Sequence, residues 1–84
     1  GTFNLGFDSF CENYIFENDF THFSADVSHY NGKDSIMLVV MNDKNNYVVT
    51  VDGEKAVFNE RSKGTFEIKL PSDKKRVKIE IQLV

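Results

Sequence analysis

Hydrophobic and polar residues alternate with period two along much of the chain. Val77, Ile79 and Ile81 alternate with Lys78 and Glu80, so one set of side chains is apolar and the other charged. Successive side chains of a β-strand point to opposite faces, which makes this pattern typical of an antiparallel sheet with one buried side. The same alternation predicts strands within 3–7, 23–29, 47–51 and 65–70.

One strand and two turns stand out in this pattern. The segment 36–41 is apolar on both faces and is predicted to be the central, most buried strand, with Ile36, Leu38 and Val40 in the core. Asn31-Gly32 and Asp52-Gly53 suit two-residue hairpins, because both turn residues there need positive φ. The second turn leads into a predicted strand over 56–58.

The segment 9–16 does not fit the alternation. Ser9 and Glu12 have the spacing of a capping box, with Phe10, Cys11 and Tyr14 on one helical face, which predicts one short helical turn. The aromatic and branched residues of this segment are mediocre helix formers. An irregular strand over 14–16 is therefore the alternative.

These segments predict an all-β fold of about seven antiparallel strands in an Ig-like β-sandwich. An up-and-down barrel is the alternative architecture. The 84 residues suit a single module spanning 1–84. Because the sequence starts at Gly1 rather than Met and ends within an alternating segment, we expect a module excised from the C-terminal end of a longer protein.

Charge and hydropathy argue against two classes of partner. The net charge is −3, and the densest basic run, Lys74-Lys75-Arg76, follows a predicted turn, so we expect no nucleic-acid binding. The longest apolar run has six residues, far below the ~20 of a transmembrane helix, so we expect no membrane partner.

Residues that could carry catalysis or bind metal are few. The single cysteine, Cys11, excludes an internal disulfide and lies among aromatic residues, which favours a shielded thiol. His22 and His29 are seven residues apart and would point to opposite faces of one strand, which opposes a shared metal site. No nucleophile-elbow, phosphate-loop or zinc-protease motif occurs. We expect a module that is not an enzyme and has no cofactor and no metal.

Aromatic residues are concentrated in the first thirty positions, where eight of them lie. A core this small cannot hold them all, so some are predicted to form a surface patch that contacts a partner domain. A shallow sugar-binding groove is the alternative, but phenylalanine offers no polar edge to a hydroxyl. The predicted contacts with a ligand or partner are Phe10, Tyr14, Phe16, Tyr30 and Tyr47.

The stretch from Ser35 to Val84 resembles small C-terminal all-β accessory domains of bacterial glycan-processing enzymes. The resemblance rests on a V-x-V-D-G-x hairpin within 46–55, on G-x-F-x-I-x-L-P at 64–71 and on the closing strand 77–81. It implies an accessory module that packs on, extends or positions a catalytic domain, and it supplies no catalytic residues. It also implies an extracellular or cell-surface location, which nothing else in the sequence indicates.

Together these observations favour a non-catalytic accessory module of a larger bacterial carbohydrate-active protein. The expected partners are a neighbouring domain of the same chain and carbohydrate. The alternative function is a protein-interaction or cell-surface adhesion module without carbohydrate binding.

Overall fold

A computed structural model of the protein describes residues 2–5, 9–17, 19–29 and 35–84. Within these ranges the chain forms nine strands and no helix, which confirms the all-β prediction. The strands are β1 (Thr2–Asn4), β2 (Ser9–Glu17), β3 (His22–His29), β4 (Ser35–Val40), β5 (Tyr47–Val51), β6 (Glu54–Lys55), β7 (Phe58–Ser62), β8 (Thr65–Leu70) and β9 (Arg76–Leu83).

The strands form two antiparallel sheets that share one core, a β-sandwich. The four-stranded sheet has the order β1-β4-β8-β7, and the five-stranded sheet has the order β2-β3-β9-β5-β6. Strands distant in sequence are neighbours, with β4 beside β8 and β3 beside β9. That order excludes the up-and-down barrel, in which consecutive strands pair.

The alternating residues of both sheets fill the core. In the five-stranded sheet, Ala25 of β3 pairs with Ile79 of β9, and Phe23 pairs with Ile81, so apolar residues of the two strands share the inner face. Burying such side chains stabilises the fold by roughly 1.5–3 kcal/mol each. The largest fully buried side chains are Phe23, Val27, Met37, Val39, Phe66, Ile68, Leu70, Ile79 and Ile81.

The predicted inner face of β4 is wrong. Met37 and Val39 are buried, whereas Ile36 is 59% exposed and lies on the outer face with Leu38 and Val40. Because β4 is apolar on both faces, its own pattern cannot select the inner one. The partner strand β8 decides it: Met37 pairs with the buried Ile68, which fixes the register.

The predicted helical turn at 9–16 is also wrong. This segment is the nine-residue strand β2, which pairs with β3 and has an irregularity between Glu12 and Ile15. Asn13 takes a positive φ of 51° there, as a β-bulge permits. Glu12 pairs with Arg76 of β9 (2.7 Å between Oε1 and Nη1). Pairing with β3 satisfies the backbone hydrogen-bonding groups of β2. The helix propensity of this segment is too weak to compete with that pairing.

The strand count differs from about seven because of β2 and a division near residue 56. The predicted strand over 56–58 is replaced by β6, which ends at Lys55 in one sheet, and β7, which begins at Phe58 in the other. The predicted Asp52-Gly53 hairpin is confirmed: it joins β5 to β6, and both residues have positive φ. The other predicted hairpin, Asn31-Gly32, lies outside the described residues.

Candidate functional site

The aromatic residues predicted to contact a partner are dispersed over the molecule. Phe10 lies on the outer face of the five-stranded sheet opposite Ser28 and is 41% exposed. Phe16 faces inward and is half-buried, with its ring centroid 4.6 Å from that of Phe23. Phe16 is therefore mainly a packing residue. Tyr30 lies outside the described residues.

Tyr14 lies at the bulge of β2, where the two sheets meet. Its ring contacts Phe3 of β1 edge-on, with centroids 4.9 Å apart, and the side chain is 57% exposed. Asn13, beside it, donates a hydrogen bond from Nδ2 to Asp26 Oδ2 (3.0 Å). The bulge thus turns Tyr14 towards β1, where it partly covers the edge of the sandwich.

Tyr47 has a structural role at the start of β5. Its hydroxyl donates to the carbonyl of Asn42 (2.6 Å), and its ring lies edge-on against Phe66. Burial raises the pKa of this phenol, although a hydrogen bond with Asn45 opposes the rise. A hydroxyl already bound to the backbone is a poor partner for a sugar.

The structure therefore does not bring the predicted contact residues into one groove. Phe10 and Tyr14 are exposed at different places on β2, while Phe16 and Tyr47 are half-buried against the core. Sequence composition showed an excess of aromatic residues but could not show which of them pack on the core.

Ionic contacts cover the outer face of the five-stranded sheet. Arg76 lies 2.7 Å from Glu12 and 3.3 Å from Asp26, and so joins β9, β2 and β3. The hydrogen bond from Asn13, and then the charges of Arg76 and Lys78, hold the pKa of Asp26 below its ordinary value. On the same face, His22 lies between Glu17 (3.5 Å) and Glu80 (3.2 Å). This outer face therefore carries polar contacts between its strands, of which those of Arg76 are ion pairs.

The outer face of the four-stranded sheet carries an apolar surface that includes the three residues of β4 predicted to lie in the core. We call it the outer strip: Ile36, Leu38 and Val40 of β4 together with Val57. Ile36 and Val57 are the most exposed of these residues, at 59% and 70%. They line one groove of about 340 Å³ with Phe58. The sequence contained the signal for this surface, because the segment 36–41 is apolar on both faces.

Cys11 and His29 both lie on the inner side of the five-stranded sheet. Cys11 pairs with Val27 and packs, partly buried, against the core. Burial, followed by the charges of Asp26 and Glu12, raises the pKa of its thiol. His29 is 2% exposed, and neither ring nitrogen has a hydrogen-bond partner among the described residues.

Two further features are absent from the described residues. In those ranges no group of three or more His, Cys, Asp or Glu side chains is placed to hold a metal ion. The same part of the chain contains no helix long and apolar enough to span a membrane.

Comparisons with known proteins identify no relative of this chain. No family model matches the sequence, and neither a curated protein nor a solved structure shows significant similarity to it. The resemblance of 35–84 to accessory domains of glycan-processing enzymes therefore stays a prediction.

Proposed function

We propose that the chain is a non-catalytic accessory module of a larger bacterial carbohydrate-active protein, and that the outer strip packs it against the catalytic domain of that protein. The observation that carries this proposal is the exposure of Ile36 and Val57 beside half-buried Leu38 and Val40. A sheet of a sandwich normally presents polar residues outward. An exposed apolar strip on such a face can mark the contact with another domain.

The two outer faces of the sandwich differ in the way this proposal requires. The five-stranded sheet presents the ion pairs of Arg76, and its exposed apolar residues Phe10 and Val48 lie on strands separated by β3 and β9. The four-stranded sheet presents aliphatic side chains along the full length of β4. Lys69 and Glu67 of β8 flank them and provide a polar rim, as at protein interfaces. The carbohydrate context itself rests on the resemblance of 35–84.

We also retain the immunoglobulin-like classification as a proposal. It is supported by two antiparallel sheets around one core and by neighbours distant in sequence. Immunoglobulin domains group strands A, B, E and D in one sheet and C, F and G in the other. An experimental structure superposed on such domains tests whether the orders β1-β4-β8-β7 and β2-β3-β9-β5-β6 correspond to them.

The function is tested by comparing hydrogen–deuterium exchange in the 84-residue chain and in the full product of its gene. Packing on a catalytic domain should slow exchange in peptides covering 35–40 and 57–62 and leave 47–51 unchanged. A gene product without a catalytic domain would contradict the proposal, as would equal exchange in both contexts. Protection that appears only when a separate protein is added would favour the interaction or adhesion module instead.

Variants locate the contact. Ile36→Lys should raise exchange at 57–62 in the full product, because a buried unpaired charge weakens an apolar interface. Val48→Lys is the matched control, since Val48 is an exposed aliphatic residue on the opposite sheet. If both variants behave alike, the outer strip is not the packing surface.

A further inference from the structure

One end of the sandwich holds a groove that reaches Val40 at the end of the outer strip. It lies between the turn at 19–21, the segment 41–44 and the β7–β8 turn, and has a volume of about 410 Å³. This is within the range of small-molecule sites, roughly 300–1,000 Å³. Its wall on the side of the 19–21 turn is the ring of Phe20.

The backbone that presents Phe20 is strained. Asp19 and Phe20 both have positive φ, of 59° and 60°. An aspartate tolerates this conformation, but a bulky aromatic residue adopts it rarely and at a cost in energy. Such strain persists only where the surrounding structure imposes it, and it is concentrated at binding and catalytic sites.

Asn42, in the loop after β4, holds this conformation by hydrogen bonds. Its backbone N–H donates to the carbonyl of Phe20 (2.9 Å), and its Nδ2 donates to the carbonyl of Asp19 (3.2 Å). Its own carbonyl accepts the hydroxyl of Tyr47. The strained turn is therefore bound to Asn42, whose backbone carbonyl is itself bound to Tyr47 of β5.

The effect of this arrangement is to keep an aromatic ring partly in solvent. Phe20 is 43% exposed, and its edge-on contact with Phe16 has a centroid separation of 5.7 Å. The ring is thus supported on one side and open on the other. A preformed aromatic surface of this kind can stack on an apolar ligand face at little cost in side-chain entropy.

The rest of the groove supplies hydrogen-bonding groups of both kinds. Lys44 and Lys63 provide donors, Asp43 provides an acceptor, and Ser62 can do either. Asp19 of the adjoining turn lies beside the groove, where its carboxylate accepts a hydrogen bond from the side chain of Asn42. Lys63 is also oriented by Asn46, whose side-chain oxygen accepts its ammonium hydrogen bond.

We propose that this groove binds a neutral pyranose, with the apolar face of the sugar ring on Phe20 and its hydroxyls on Asp43, Ser62 and Lys63. A pyranose has an apolar face and hydroxyls that both donate and accept, which the mixed lining matches. The site shares Val40 with the outer strip, but the residues proposed to contact the sugar lie outside the strip, so sugar binding does not require the proposed packing.

The test is an isotope-edited nuclear magnetic resonance titration of the 84-residue chain with glucose, galactose, mannose, N-acetylglucosamine and their β- and α-linked disaccharides. At least one sugar should give saturable shifts confined to the amides of 19–21, 41–46 and 62–65. A parallel titration with adenosine tests a second class of ligand, a nucleoside, whose base also stacks on aromatic rings. Adenosine binding without sugar binding would overturn the proposal.

Variants assign the role of the ring. Phe20→Ala should weaken binding about tenfold or more through loss of the stacking surface. Phe10→Ala is the matched control, because Phe10 is almost equally exposed but lies on the outer face of the five-stranded sheet. Phe20→Gly removes the ring while suiting the positive φ, so this variant should fold and still fail to bind.

Three results would refute the proposal: no shift with any sugar at tens of millimolar, shifts located elsewhere, or unchanged affinity in Phe20→Gly. None of them bears on the outer strip, whose test is exchange in the full gene product. If the packing proposal proves wrong, the sugar titration is still a valid test of the groove.

Discussion

Single residues are expected to affect the stability of this protein most where the backbone of one segment lies close to that of another. Gly64 has a φ of +83°, and its carbonyl accepts a hydrogen bond from the N–H of Met41 (2.7 Å). A Cβ at this position would lie 3.0 Å from the carbonyl oxygen of Met41 and 3.1 Å from Cα of Asp43. Gly53 has nearly the same φ but no atom within 4 Å of such a Cβ. A substitution at Gly53 therefore tests the effect of the positive φ alone, whereas a substitution at Gly64 tests the positive φ together with steric crowding.

Gly64→Ala should lower the free energy of unfolding by about 2–4 kcal/mol, from the positive φ and the backbone contacts together. Gly53→Ala should cost about 1 kcal/mol, because only the positive φ contributes there. Urea denaturation of both variants measures the difference. Equal losses would mean that the segment 41–43 moves away and that its contact with Gly64 is not specific.

Cys11 provides a second test at this scale. Burial raises the pKa of its thiol, and Asp26 and Glu12 add to the rise, so less thiolate is present at pH 8 than in a free cysteine. Labelling by an aromatic disulfide reagent at pH 8 should be slower in the folded protein than in urea, beyond the effect of urea on a cysteine peptide. Asp26→Asn should speed labelling modestly, whereas labelling of the native protein at the peptide rate would contradict the shielded environment.

Among the elements, the β5–β6 hairpin pairs with β9 through β5, and Asp52 at its turn extends that pairing. Asp52 has a positive φ of 52°, its backbone N–H donates to the carbonyl of Lys78 (2.8 Å), and its Oδ1 accepts the N–H of Lys78 (2.7 Å). The carboxylate therefore replaces a backbone carbonyl at the end of the β5–β9 ladder. Its other oxygen accepts from Lys74 (3.1 Å).

Asp52→Ala should lower the free energy of unfolding by about 1–2 kcal/mol, since it removes the acceptor of Lys78 N–H and a residue that tolerates positive φ. Asp52→Asn keeps both features and loses only the charge pairing with Lys74, so its effect should be a few tenths of a kcal/mol. Thermal unfolding of both variants provides the comparison. An asparagine variant as unstable as the alanine variant would assign the effect to charge alone.

At the scale of the whole molecule, two aspartates link stability to pH. The pKa of Asp26 is lowered first by the hydrogen bond of Asn13, and that of Asp52 first by the backbone N–H of Lys78. A carboxyl group with a lowered pKa in the folded state stabilises the fold above its unfolded pKa. That stabilisation is lost as the pH falls through the folded pKa.

We expect stability to be nearly constant with respect to these two groups between pH 5 and 7, and to fall as the pH drops below about 4, the ordinary pKa of aspartate. Urea denaturation at a series of pH values should show the decline, and Asp26→Asn combined with Asp52→Asn should flatten it. A decline of the same steepness in the double variant would assign acid sensitivity to other carboxyl groups.

The sequence by itself determined that the chain forms antiparallel strands and that Asp52-Gly53 joins two of them. Side-chain periodicity and the positive φ of that turn are local properties, so they can be read along the chain. The inner faces of β3, β8 and β9 could also be predicted from the sequence, because each strand alternates apolar with polar residues.

Only the tertiary structure decided which face of β4 is buried, whether 9–17 is strand or helix, and where the aromatic residues lie. A segment that is apolar on both faces has no preferred inner side until β8 fixes its register. A segment with weak local preference takes the conformation in which a neighbour satisfies its backbone, as β3 does for β2. The groove at Phe20 depends on Asn42, twenty-two residues away in sequence, whose hydrogen bonds hold a conformation that the local sequence disfavours. Pairings between distant segments are set by packing and hydrogen bonding in three dimensions, and no local pattern encodes them.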